Sequence, residues 1–168
     1  MPQLKILNSR EIKEIYSLIE KQWGAKLNLS YAFLKREKIK DFLPPENSKN
    51  FLGNNKNRIF VVNRSISNID LSKLRINSIG MYFCEADKIG IRLSIEGSQI
   101  VGPKATKNIA EITEEQAKKW LKGEDLEIKG DYSGFIILKN NGDFLGAGRH
   151  KDGKILNYVA KERRISSL

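Results

Sequence analysis

Apolar residues recur at spacings of three and four from Ile12 through Ile15 and Ile19 to Trp23, the period of a helix with one buried face. The spacing predicts a helix over 9–23. Asn8 and Glu11 fit a start cap and Gly24 a left-handed stop. The runs Leu29 to Leu34 and Arg58 to Asn63 read as strands, separated by Pro44, Pro45 and an Asn-rich stretch over 46–57. Residues 65–75 suit a short helix or a connector, and the domain boundary is expected there. A helix packed on a small sheet accounts for residues 1–75.

The second half alternates differently. Ile76 to Glu85 and Ile89 to Ile95 are apolar runs that can pair as strands. Gly97 to Lys107 contains no acidic residue and reads as a loop whose backbone N–H groups approach phosphate oxygens, with Lys104 and Lys107 beside them. Thr113 and Gln116 form a capping box for a helix over 114–122 that Gly123 ends. Phe135 to Leu138 is a continuous apolar run, as a buried strand requires, and Asn141-Gly142 accepts the positive φ of a tight hairpin turn. Phe144 to Arg149 is then the return strand. Asp152-Gly153 marks a second turn before a strand over Ile155 to Val159. Residues 134–159 therefore read as a three-stranded meander, with Arg149, His150, Lys151 and Lys154 collected at one turn.

Charge adds a direction to this outline. The 168 residues carry 30 Lys and Arg against 20 Asp and Glu, a net +10 that favours a polyanionic partner. Acidic side chains concentrate in residues 111–131 and basic ones in 149–168. Cys84, the single cysteine, lies in an apolar run and reads as a core residue of a protein from a reducing compartment. No run approaches the roughly 20 apolar residues of a membrane helix. A cytoplasmic location follows as the expectation.

Candidate chemistry is sparse. His150 is the only histidine and stands between two cations, which suits a solvated turn or an RNA contact better than a general base. Gly146 and Gly148 lack the third glycine and the following helix of a dinucleotide site. Lys118, Lys119 and Lys122 are interleaved with Glu114, Glu115 and Glu124, as on an ordinary solvated helix. Lys35, Arg36, Lys38 and Lys40 suit a basic hairpin or a second RNA contact equally. Tyr132 and Tyr158 suit either base stacking or core packing. No metal-ligand spacing, paired carboxylates or cofactor loop is present, so neither cofactor nor metal is expected.

The series Trp120-Leu-Lys-Gly-Glu-Asp-Leu, Gly134-Phe-Ile-Ile-Leu, Phe144-Leu-Gly-Ala-Gly and Gly153 to Arg164 resembles the PUA domain, in particular that of Nop2/Sun-type RNA cytosine-5 methyltransferases. Arg58 to Ile100 is similar to small archaeal and eukaryotic ribosome-biogenesis proteins with a pre-PUA domain. The resemblance implies an α+β chain, with a pre-PUA-like domain over 1–75 and a PUA-type β-pseudo-barrel with short helices over 76–168. It also implies RNA binding through Gly102, Pro103, Lys104 and Lys107, together with Lys151, Lys154, Lys161, Arg163 and Arg164. Arg149 joins these through its place at the turn. Ala160 departs from the proline usual in that family, and the methylases' catalytic motifs are absent. The expectation is a non-enzymatic factor that binds ribosomal or transfer RNA in ribosome biogenesis or RNA modification. The alternative is an adaptor that docks a methyltransferase or assembly factor through its basic face and an apolar surface around Trp23 and Phe51.

Overall fold

The computed structural model describes residues 3–30, 32–37, 57–70 and 79–167. Phe51, Lys38, Lys40 and the Pro44-Pro45 stretch lie outside them. Strands β1 (Gln3–Ile6), β2 (Ala32–Glu37), β3 (Asn57–Val62), β4 (Met81–Ala86) and β5 (Ile91–Leu93) form one antiparallel sheet in sequence order. Helix α1 (Ser9–Trp23) covers one face. It begins and ends as its sequence predicts: the Asn8 side chain accepts from the backbone N–H groups of Arg10 and Glu11, the Glu11 carboxylate accepts from Asn8 N–H, and Gly24 closes it at φ 70°. Ile15, Ile19 and Trp23 are buried against Phe33, Ile59, Phe83 and Ile91.

A second five-stranded sheet has the order β6 (Ile109–Glu111), β8 (Phe135–Asn140), β9 (Asp143–Lys151), β10 (Lys154–Leu156), β7 (Leu126–Glu127). Its β8-β9-β10 meander and both turns follow the sequence prediction, with Asn141 and Asp152 at positive φ. Helix α3 (Glu114–Lys122) has its Thr113/Gln116 capping box and its left-handed Gly123. The α+β class therefore holds, but the pseudo-barrel does not. Among the described residues both sheets are open, and β6 and β7 are opposite edges that never pair. Because β4 and β5 join the first sheet, the boundary between sheets falls between Leu93 and Ile109.

The cause is β8. Phe135, Ile136, Ile137 and Leu138 are all buried, so the strand spends both faces on packing. Phe135 and Ile137 belong to the core that includes α1 and the first sheet, whereas Ile136 and Leu138 join a second core with Trp120, Leu126 and Ile155. A barrel strand would turn one face to its interior and the other to solvent or a covering helix. Here the second face meets the first sheet instead. Both tryptophans are fully buried with their N–H groups satisfied: Trp23 Nε1 donates to Phe135 O at 3.1 Å, and Trp120 Nε1 donates to Leu145 O at 2.7 Å. The apolar interface expected at Trp23 is thus internal.

Between the sheets, Gly97 to Lys107 is largely helical rather than an open loop. Helix α2 (Ile95–Val101) runs into a 3-10 turn over Gly102–Lys104. Gly97 is needed for packing, since a Cβ there would meet Phe83 O at 2.0 Å. Ser94 caps the helix, accepting from Gly97 N–H at 2.9 Å while its hydroxyl donates to Tyr82 O at 2.5 Å.

Because β8 belongs to two cores, Ile136→Ala and Ile137→Ala should each cost about 2–5 kcal/mol, the range for truncating a buried isoleucine. Urea unfolding followed by tryptophan fluorescence checks this. Each variant should keep one transition, and a second transition in either would show that the two cores unfold separately.

Candidate nucleic-acid interface

The predicted basic residues occupy three places. Lys107 precedes β6, Arg149 and Lys151 end β9, and Lys154 begins β10. Because β6 runs parallel to β8 and Phe135 at the start of β8 pairs with Arg149, these four share one end of the second sheet. Lys151 and Lys154 are direct cross-strand partners. Opposed like charges are destabilising, and Lys154 is offset by Glu127 at 3.5 Å. Tyr132 packs edge-on to His150 at the same end, with ring centroids 5.6 Å apart, and His150 Nε2 lies 3.3 Å from Ile128 O. His150 is thus a strand residue of β9 held by Tyr132 and Ile128 O rather than a solvated turn residue.

Gly102, Pro103 and Lys104 sit elsewhere. Gly102 is buried against the Phe144 ring near the start of β9. Its N–H donates to Ser98 O, and Pro103 has no N–H to give. The backbone donors expected of this loop are therefore not available from those two residues, and Lys104 contributes an exposed side chain only.

Lys161, Arg163 and Arg164 form the third group, in and beyond a 3-10 turn over Lys161–Arg163. Arg163 is ion-paired with Glu96 in the first turn of α2. Arg164 Nε donates to Val159 O at 3.0 Å, and its guanidinium lies against Gly123 at the C-terminal end of α3, where a cation offsets the exposed carbonyl dipoles. Ile165 N–H donates to Leu121 O at 3.1 Å. Much of this segment's charge is thus spent on holding the chain end to α3 and α2. Ala160 has φ −59°, the value that proline would fix, so its departure from the family's proline leaves the local geometry intact.

One cluster was not anticipated. β4 carries a bulge at Phe83, so that Phe60 pairs with Tyr82 but Ile59 with Cys84. The extra residue puts Tyr82 and Glu85 on the same face, against the strict alternation of a regular strand. There, Arg92 is ion-paired with Glu85 at 2.9 Å and Arg58 approaches the other carboxylate oxygen at 3.8 Å. The Glu85 side chain is only 7% exposed. Arg58 lies 5.6 Å from the Tyr82 ring centroid, the Phe60 and Tyr82 rings are 5.7 Å apart, and the Arg92 guanidinium lies 4.3 Å from the centroid of Tyr158. Burial, reinforced by Glu85, pushes the Tyr82 hydroxyl well above the usual phenol range. Tyr82, Arg92, Glu96, Tyr158 and Arg163 line an open cleft between the first sheet and the C-terminal segment. Cys84, one residue from this face, points into the core, and burial raises its thiol far above the usual range, so it is inert.

Residues 107–165 match the family model described as the methyltransferase RsmF PUA domain. This segment is similar to a PUA domain. Among curated proteins, the chain is 30% identical over 91 residues to the ribosomal RNA small subunit methyltransferase F of Aeromonas salmonicida (strain A449), covering 54% of this chain and 19% of that protein. It is 28% identical over 101 residues to the protein of the same name from Shewanella sp. (strain ANA-3), covering 55% and 21%. A third, from Aliivibrio salmonicida (strain LFI1238), is 27% identical over 92 residues, covering 55% and 20%. The chain spans about a fifth of the length of these relatives. They overturn two expectations. The likeness is to catalytic rRNA methyltransferases, not to a non-enzymatic RNA-binding factor, and equally not to a protein adaptor. The expectation that the chain is not an enzyme fails with it, since the relatives it matches are methyltransferases. No helix among the described residues is long and apolar enough to cross a membrane.

Because Glu85 and Arg92 are both largely buried, removing only the cation strands the carboxylate. Arg92→Met should cost about 3–5 kcal/mol, as for breaking a buried pair, and adding Glu85→Gln should recover most of it. Chemical denaturation of the single and double variants measures this. Equal stability of the two would show that the pair does not hold the cleft.

Proposed function

We propose that this chain serves the methylation of small-subunit ribosomal RNA, as the part of a methyltransferase that holds the substrate RNA. The observation that carries the reading is the match of residues 107–165 to the PUA domain of such methyltransferases. The net charge of +10 supports it. So does the basic end of the second sheet, where Lys107, Arg149, Lys151 and Lys154 lie together and a directly opposed lysine pair is kept despite its repulsion.

In this reading those four side chains neutralise successive phosphates and set the register of the RNA, without reading its sequence. Lys104 and Lys161 are exposed and add positive charge away from that end. Gly102 and Pro103 shape the turn that carries Lys104. Arg164 acts through the position of the chain end and contributes long-range charge; Arg163 keeps 56% of its side chain exposed.

Deleting the gene from its host and mapping methylated nucleotides in small-subunit rRNA by mass spectrometry should reveal the loss of one methyl mark. An unchanged methylation map contradicts the proposal. With the purified chain, changing Lys107, Lys151 and Lys154 together to alanine should weaken binding to small-subunit rRNA fragments and flatten the slope of log affinity against log salt by about 2–3. A slope equal to the parent's would place the RNA elsewhere.

A further inference from the structure

Resting on that reading, we infer that the cleft between the first sheet and the C-terminal segment holds one unpaired RNA nucleotide, its base stacked on the Tyr158 ring and its phosphate met by Arg163. Three observations converge on this. The first is a prepared aromatic surface. Tyr158 is 40% exposed, although its ring packs edge-on to buried Phe135 at 6.2 Å and is covered on one side by Arg92 at 4.3 Å. An exposed ring held from behind loses little conformational freedom when a base stacks on it.

The second is the way Arg92 is held. Its guanidinium is shared between the Tyr158 ring and the buried Glu85 carboxylate, which Arg58 also approaches. Keeping an ion pair this far from water is costly. It leaves the cation fixed as the backing of the Tyr158 ring, while the half-buried Tyr82 and Phe60 rings pack on each other on the outer face of the first sheet. An exposed aromatic ring backed by arginine is a surface on which an unpaired base stacks.

The third is the opposite lip. Arg163 has 56% of its side chain exposed and pairs with Glu96, itself only 27% exposed. A guanidinium has five donors, so Arg163 can take a phosphate oxygen while keeping contact with Glu96. A duplex offers no free base face, so the cleft selects single strands. The basic end of the second sheet, which meets only backbone, does not discriminate. Together they would hold an RNA at a junction between paired and unpaired segments.

The test compares the full chain with its Tyr158→Leu and Arg163→Gln variants in binding a labelled single-stranded RNA octamer and the same sequence in a duplex. Leucine keeps the contact with Phe135 but offers no ring. Tyr158→Leu should weaken single-strand binding by at least about fivefold, the lower end for one stacked base, and leave duplex binding within about twofold. Arg163→Gln should weaken single-strand binding in the same direction. Photocrosslinking a 4-thiouridine octamer to the unaltered chain should label peptides containing Tyr82 or Tyr158, a result independent of how any variant folds. Crosslinks confined to Lys151–Lys154, equal losses for both RNAs, or no loss for either variant would overturn the inference while leaving the proposed rRNA role standing. Failure of the parent chain to bind either RNA would overturn both. Selective crosslinking of an acidic peptide at Tyr158, with none of RNA, would assign the cleft to a protein.

Discussion

Burial of one strand on both of its faces organises this protein. The run Phe135 to Leu138 sends alternate side chains into two cores, one shared with α1 and the first sheet, the other with α3 and the end of the second sheet. Neither sheet can move away from the other without exposing half of that strand. Each core also places an indole N–H on the backbone around it, Trp23 on Phe135 and Trp120 on Leu145. Losing the buried Trp23 bond would leave the Phe135 carbonyl without that donor, at a cost of about 1–3 kcal/mol.

From that arrangement follow the places where charge can lie. The end of the second sheet that carries Lys107, Arg149, Lys151 and Lys154 is fixed by the pairing of β8 with β6 and β9. The cleft is fixed by the pairing of β4 with β5 and by the return of the chain through Tyr158. The two surfaces differ in chemistry. One is a set of exposed lysines joined by a half-buried arginine, suited to backbone phosphates; the other is a rigid aromatic and guanidinium surface suited to a base. A chain in which both served one RNA would read where a helix ends and a single strand begins.

Much of this was legible locally. The capping boxes at Asn8 and Thr113, the glycine stops at 24 and 123, and the Asn141-Gly142 and Asp152-Gly153 turns each depend on a few neighbouring residues, and each stands where the sequence predicts. The continuous apolar run at 135–138 correctly signalled a buried strand. It could not say that its second face meets another sheet, and hence that no barrel closes. Gly97 was misread for a related reason: it looks like a loop glycine, but its lack of a side chain serves close contact with Phe83 O. The Tyr82–Glu85 face was hidden by the bulge, since ordinary alternation puts those residues on opposite sides of the strand. Arg163 and Arg164 looked like free charge because their partners, Glu96 and Val159 O, come from packing that no local pattern records.

Through β8 the two sheets form one cooperative body on which both surfaces depend. Native-state hydrogen exchange on the full chain, resolved by residue, tests it directly. The slowest amides of α1, β3, β8 and α3 should exchange with one common free energy and share its dependence on denaturant. Exchange from α1 and β3 through an opening of much lower free energy than that of β8 and α3 would contradict it.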